Sequence, residues 1–251
     1  GQLRRYISSN NSKNIIMGKN NYIETGVEIV GNVTIGNNNR ICSGTVIYPN
    51  TIIGNNNTFF SGNILGEHPL LVDSEISKIS EYPMYRGLRI GDNNYFKENN
   101  HIFSGRTKPT LIGNNNSFLS KVLIGHDVTI NNNVMLYKES VVGRYCHLFD
   151  YSGIGPRGFL VQNKKVGNYG FVGMNYTCSR DVFPIFFDGG NVYGLHGHRF
   201  MRSLELHAPL LASLSMKYHN GQLTRENICE YKCRLPDDIY DIIVLYMNVN
   251  C

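Results

Sequence analysis

An apolar residue at every sixth position constrains this chain more than any other feature. The series runs Met17, Ile23, Ile29, Ile35, Ile41, Ile47, Ile53, Phe59, Leu65. It resumes at Ile90, Phe96, Ile102, and again at Ile112, Phe118, Ile124, Ile130, Leu136, Val142, Leu148, Ile154, Leu160, Val166, Val172, Cys178. Apolar residues make up only 41% of the chain, so a fixed register without a polar intruder does not arise by chance. A helix repeats at 3.6 and a half-buried strand at 2. A period of six with one obligate inward residue predicts a triangular coil, each side a short strand and each corner a turn. Three hexads close one coil of 18 residues, and 24 hexads give about eight coils. With stacked strands ~4.8 Å apart, the prism is roughly 35–40 Å tall. The fold class is therefore mainly β, a left-handed parallel β-helix, with a small C-terminal α-helical extension.

The corners carry their own signature. Glycine follows many of the inward residues (Gly18, Gly36, Gly54, Gly91, Gly113, Gly125, Gly143), where coils must approach closely. Asparagine runs at 37–39, 55–57, 114–116 and 131–133 suit turns that need the left-handed conformation. Two insertions break the register, at 66–89 and 103–111, and loops thrown out of a rigid solenoid commonly serve binding. The hexads stop after Pro184. Residues 1–184 read as the β-helix domain and 185–251 as a C-terminal helical domain, with helical patterns at Leu204–His219, Thr224–Lys232 and Leu235–Met247.

The net charge of +5 is spread without a basic run, which argues against nucleic-acid binding but suits an anionic substrate. No stretch reaches the ~18 apolar residues of a membrane span. The opening Gly1-Gln2-Leu3-Arg4-Arg5 lacks the apolar core of a signal peptide. A cytoplasmic location is expected. Six cysteines without a CxxC pair predict reduced, structural thiols.

The register also stacks chemistry. His126 sits two residues after inward Ile124, with Arg144 one coil above and Ser104 one coil below. Gly125 and Gly143 are neighbours beside it, and Gly143 offers an N–H that no side chain obstructs. An imidazole base, a backbone donor and the 103–111 loop make an acyl-transfer constellation. Composition alone favours the plainer reading of His126 as a surface residue on a solenoid face, until the resemblance below is added.

The motifs Ile90-Gly91-Asp92-Asn93-Asn94-Tyr95-Phe96-Lys97-Glu98-Asn99, Ile124-Gly125-His126-Asp127, Gly143 and Gly190-Asn191 resemble the hexapeptide-repeat acyltransferases. The nearest branch is the UDP-N-acetylglucosamine O-acyltransferases of lipid A synthesis. The resemblance implies His126 as general base, Asp127 as its support, and Gly143 as an oxyanion donor. It implies a homotrimer with clefts between subunits, a sugar-nucleotide acceptor, and an acyl carrier protein or coenzyme A thioester as co-substrate, with no permanently bound cofactor. Substrate contacts would come from Phe103, Ser104, Arg144, Glu67, Lys97, Asn191, His198, Arg199 and Met174. The chain departs from that branch where Phe103, Leu123, Arg144 and Leu160 stand in place of histidines, and the Gln-Asp-Leu-Lys-Tyr loop motif is missing from 66–89. Met174, following Val172-Gly173, implies a short or medium acyl group. Two rivals follow from these departures: a coenzyme A-dependent N-acetyltransferase of an amino-deoxy sugar nucleotide, and a non-catalytic sugar-nucleotide-binding scaffold. Zinc chemistry of the γ-carbonic anhydrase type needs three histidines; Lys121 stands five residues before His126, and His101 and His147 do not converge on it in register, so no metal is expected.

Overall fold

The computed structural model describes residues 14–69, 85–191, 193–195 and 206–248. Within them the chain winds a left-handed parallel β-helix with three sheets as its sides. The first sheet holds eight strands, from Ile15–Met17 to Lys165–Val166. The third also holds eight, from Glu28–Ile29 to Thr177–Cys178. The second holds ten, starting at Tyr22–Ile23. Its last two, Phe186–Asp188 and Tyr193–Leu195, carry the ladder past Pro184 into a partial ninth coil. The final pair is antiparallel.

The register follows the hexads. Met17 pairs with Ile35, Ile35 with Ile53, and Ile53 with Ile90 across the first insertion. Ile102 pairs with Ile124 across the second. These inward residues fill the prism: Ile41, Ile47, Phe59, Leu65, Phe96, Phe118, Leu136 and Leu160 are fully buried. Phe59, Phe96 and Phe118 stack at 4.7 and 4.6 Å between centroids.

Corner geometry explains the asparagines. Asn38, Asn56, Asn115 and Asn133 have φ of 57–58°. The neighbouring Asn39, Asn57, Asn94 and Asn116 point inward and form a buried amide ladder, each side-chain oxygen accepting the N–H of the next coil. The glycines permit this approach. A Cβ at Gly36 would lie 2.5 Å from the Gly54 carbonyl oxygen.

The C-terminal segment supplies helices Ala208–His219 and Asp237–Met247, with a 3-10 turn at Ile228–Arg234 between them. Leu211, Leu214, Ile228, Ile239 and Ile243 are buried. Tyr246 packs against Phe149, Phe183 and Tyr218, covering the last coils. Such covering satisfies the open end of a solenoid. Among the described residues, no helix is long and apolar enough to cross a membrane.

One expectation about the cysteines is overturned. Cys229 is disulfide-bonded, while Cys42, Cys146, Cys178 and Cys233 are free. The pairing depends on approach in three dimensions, which spacing along the chain does not report.

Candidate active site

The site lies at the corner where the third sheet turns into the first. The strand Leu123–Ile124 ends there and Thr129–Ile130 begins the next side. Between them Asp127 takes the left-handed conformation, with φ of 60°. This turns its carboxylate under the preceding loop. The side chain is fully buried and collects five donors. The N–H groups of Thr107 and Lys108 and the Thr107 hydroxyl reach Oδ1 at 2.8, 2.7 and 2.7 Å. The Arg106 N–H reaches Oδ2 at 3.0 Å, and His126 Nδ1 lies 2.6 Å from the same oxygen. The Asp127 N–H in turn donates to Thr110 Oγ1 at 3.0 Å. The 103–111 insertion is therefore a cradle built around one carboxylate.

Burial alone pushes the Asp127 carboxyl upward. The Lys108 N–H, the Thr107 hydroxyl, His126 and the Arg106 N–H outweigh it and hold the group at about 2. An ionised carboxylate only accepts, so His126 must carry its proton on Nδ1. Nε2 is then left as the acceptor. The side chain is 11% exposed, with Tyr145 edge-on at 5.1 Å. A base held in one tautomer with one open lone pair is suited to taking a proton from a bound hydroxyl or amine.

The expected oxyanion donor needs correction. The Gly143 N–H is committed to the Leu160 carbonyl at 2.8 Å, as part of the parallel ladder. The next amide, that of Arg144, has no partner among the described residues. It is uncovered because residue 125 lacks a side chain: a Cβ on Gly125 would lie 2.7 Å from the Arg144 nitrogen. The reason is one of counting, since ladder bonds end one residue after the inward position. Gly143 continues the strand and Arg144 opens the turn. The Arg144 side chain points to the following coil, its Nε donating to Gln162 Oε1 at 2.7 Å.

The other expected residues divide by corner. Glu67, Phe103 and Ser104 share the corner of His126, one coil or more below it. Glu67 pairs with His101, whose ring lies 4.4 Å from Phe103. Ser104 is buried, its hydroxyl without a partner among the described residues. Lys97 and Met174 follow second-sheet strands at a different corner, and Asn191 follows the strand Phe186–Asp188. Lys97 Nζ sits 4.7 Å from the Phe60 ring centroid, and Met174 is exposed. One protomer does not bring these three to His126. His198 and Arg199 lie outside the described residues. Sequence reasoning missed Thr107, Thr110, Tyr145 and the Glu67–His101 pair. The one available signal was that an insertion immediately precedes the coil of His126.

No protein-family model matches the chain. In sequence it is similar to an acyl-[acyl-carrier-protein]–UDP-N-acetylglucosamine O-acyltransferase of Nautilia profundicola, 34% identical over 44% of each protein. The enzyme of the same name from Aliivibrio salmonicida is 28% identical over 58% of this chain and 59% of its own length. The chain thus spans about half the length of the curated relatives it matches. In fold it is similar to LpxA, a UDP-N-acetylglucosamine acyltransferase from Bacteroides fragilis: TM-score 0.77, 23% identity, 97% of this chain and 94% of that one. The UDP-N-acetylglucosamine acyltransferase of Campylobacter jejuni gives a TM-score of 0.76 at 22% identity, over 96% and 93%. Fold and sequence similarity thus converge on the LpxA-type β-helix acyltransferases.

Proposed function

We infer that the chain is a cytoplasmic acyltransferase that moves an acyl group from a thioester to a hydroxyl or amine of a sugar nucleotide, working as a homotrimer. The observation that carries this is the dyad of His126 and an ionised, loop-held Asp127 beside the uncovered Arg144 amide. His126 Nε2 takes the acceptor proton. The acceptor oxygen or nitrogen bonds to the thioester carbon, and the carbonyl oxygen gathers charge within reach of the Arg144 N–H. Collapse expels the thiolate, which takes the proton back from the imidazolium. Asp127 stays ionised throughout and holds the ring in register.

The relatives' names support acyl carrier protein as donor and UDP-N-acetylglucosamine as acceptor. The acceptor contacts of a neighbouring subunit would supply what Lys97, Met174 and Asn191 cannot supply within one protomer. A coenzyme A-dependent N-acetyltransferase is the second reading, favoured by the absence of four histidines at 103, 123, 144 and 160.

The test is single-turnover acyl transfer by wild type and His126→Ala, with acyl carrier protein and coenzyme A thioesters and a panel of sugar nucleotides. Loss of ~10²–10⁴ in rate with an unchanged melting curve is expected. Full turnover in the variant, or no thioester cleavage by the wild type with any acceptor, would end the proposal, the latter in favour of a non-catalytic scaffold.

A further inference from the structure

Tyr145 departs from the pattern of its own corner. The left-handed position where the third sheet turns into the first holds Asn50, Asp127 and Asn163, at φ of 61°, 60° and 62°. Tyr145 occupies the same position in the coil between the last two, at 61°. Short polar side chains settle in this conformation by bonding to nearby backbone, whereas a bulky ring is strained there. Such strain persists only where the surroundings hold it, and it gathers at functional sites. Two other tyrosines, Tyr151 and Tyr169, share the conformation at the corner between the first and second sheets. There the reason is visible, since the two rings stack on each other at 4.8 Å and 2°. Tyr145 has no such companion: the turns on either side of it carry Asp127 and Asn163. Among the described residues, the one aromatic ring it meets is the imidazole of His126, at 5.1 Å and 84°, and its hydroxyl has no hydrogen bond. The residue is 37% exposed.

What the open face takes follows from its closeness to the base. An acceptor hydroxyl or amine must come within about 3 Å of His126 Nε2. Tyr145 is the adjoining wall, so it meets the atoms that carry the reacting group. In a sugar nucleotide those atoms belong to the pyranose ring, and the base lies beyond a ribose and two phosphates. A pyranose shows C–H groups on one face and hydroxyls at its rim, which matches an aromatic face with a polar tip. The reacting end of a thioester has no ring to offer there. The neighbouring third-sheet residues Leu123, Val141 and Phe159 carry no hydrogen-bonding groups on their side chains. On this side of the base, selection therefore works through shape and apolar contact.

We propose that Tyr145 is a specificity-determining residue, the platform on which the acceptor's pyranose ring stacks, kept although asparagine would make the easier turn. The proposal rests on the acyl-transfer reading and names the part of the acceptor that is recognised. The test compares wild type, Tyr145→Phe and Tyr145→Asn, the last matching the equivalent turns at 50 and 163. Calorimetry on the full chain measures UDP-, dTDP- and GDP-hexoses, each against its own nucleoside diphosphate. In wild type at least one hexose should bind more tightly than its diphosphate. Tyr145→Asn should cut that advantage roughly tenfold and leave diphosphate binding as it was. Tyr145→Phe keeps the ring and should keep the advantage. In acyl-transfer assays the loss in Tyr145→Asn should fall on the KM of the acceptor, not on kcat or the KM of the thioester. Its melting temperature should hold or rise by roughly 2–4 °C, because asparagine relieves the strained turn. A lower melting temperature with every ligand weakened alike would mark a purely structural tyrosine and overturn the proposal. So would a wild type that binds no hexose better than its diphosphate, an equal loss for sugar and diphosphate, or a fall confined to kcat. Failure of the acyl-transfer reading shows separately: sugar-dependent binding would still follow residue 145 while wild type transfers no acyl group.

Discussion

Replacing Asp127 with asparagine tests the core of the site, because it keeps size and removes charge. The carboxylate receives three donors on Oδ1 and two on Oδ2. An amide must turn its NH2 toward one set. If it faces the Oδ2 side, it meets the Arg106 N–H and His126. If it faces the Oδ1 side, it meets two backbone N–H groups and the Thr107 hydroxyl. The hydroxyl can rotate away, but the backbone donors cannot. Each buried donor left unsatisfied costs about 1–3 kcal/mol. We therefore expect a loss of about 3 kcal/mol, or a fall in Tm of roughly 6–12 °C for a chain of this size. The catalytic effect is larger. An NH2 facing His126 Nδ1 reverses the bond and moves the ring proton to Nε2, so the base loses its lone pair where the acceptor binds. Rate should fall by ~10²–10⁴. The assays are thermal unfolding and single-turnover transfer on the same preparation, with limited proteolysis of the 103–111 loop as a local readout. An Asp127→Asn protein with wild-type turnover and an intact loop would refute the cradle argument altogether.

Four further outcomes follow. Gly125→Ala should cut turnover by ~10² or more and also lower the melting temperature, since its Cβ would sit 2.7 Å from the Arg144 backbone nitrogen and push the two coils apart. Phe96→Ala should cost about 3–5 kcal/mol by opening a void between Phe59 and Phe118, read as a lowered denaturation midpoint. Burial beside Lys108 and Lys165 holds the His147 imidazole down to about 4 from an ordinary 6.5. The folded state then binds fewer protons than the unfolded one, so stability is complete above ~6.5 and declines as pH falls toward 4, by on the order of 2 kcal/mol. Urea titrations at pH 7 and pH 4.5 check this, and His147→Gln should flatten the difference. Met174→Gly should lengthen the acyl chain accepted, measured by competition between short and long thioesters.

The architecture was legible because a solenoid writes its translational symmetry into the chain. Ile53 and Ile90 are separated by an insertion, yet the same inward position resumes on the far side and the two pair directly. No comparison of propensities was needed for that, since the period alone identified the core. The site was half legible. His126 and Asp127 stood out by residue type. What the sequence did not disclose was the direction of backbone bonds at the corner, so Gly143 was expected to be open when its N–H closes the ladder to Leu160. The loop at 103–111 was visible as an interruption, but its purpose depended on Thr107 and Thr110 folding back over a charge. Neither residue belongs to a periodic pattern, and irregular backbone satisfies its donors in ways that spacing does not encode.

The same symmetry explains why chemistry sits at this corner. Asn50 and Asn163 take the left-handed turn at corner positions equivalent to Asp127, with φ of 61° and 62° against its 60°. Asparagine at such a turn is neutral and needs no special surroundings. Aspartate there is a buried charge, and an uncompensated one would destabilise the coil by several kcal/mol. The four extra residues between Ile102 and Ile112 provide the compensation, as three consecutive N–H groups from Arg106 to Lys108 close on the carboxylate. Substitution and insertion therefore make sense only together. Shortening the 103–111 loop to the regular six-residue spacing should destabilise the chain while Asp127 is present, and much less once residue 127 is asparagine. A double-mutant cycle measures that coupling. A coupling energy of zero would mean that the loop serves something other than the charge at 127.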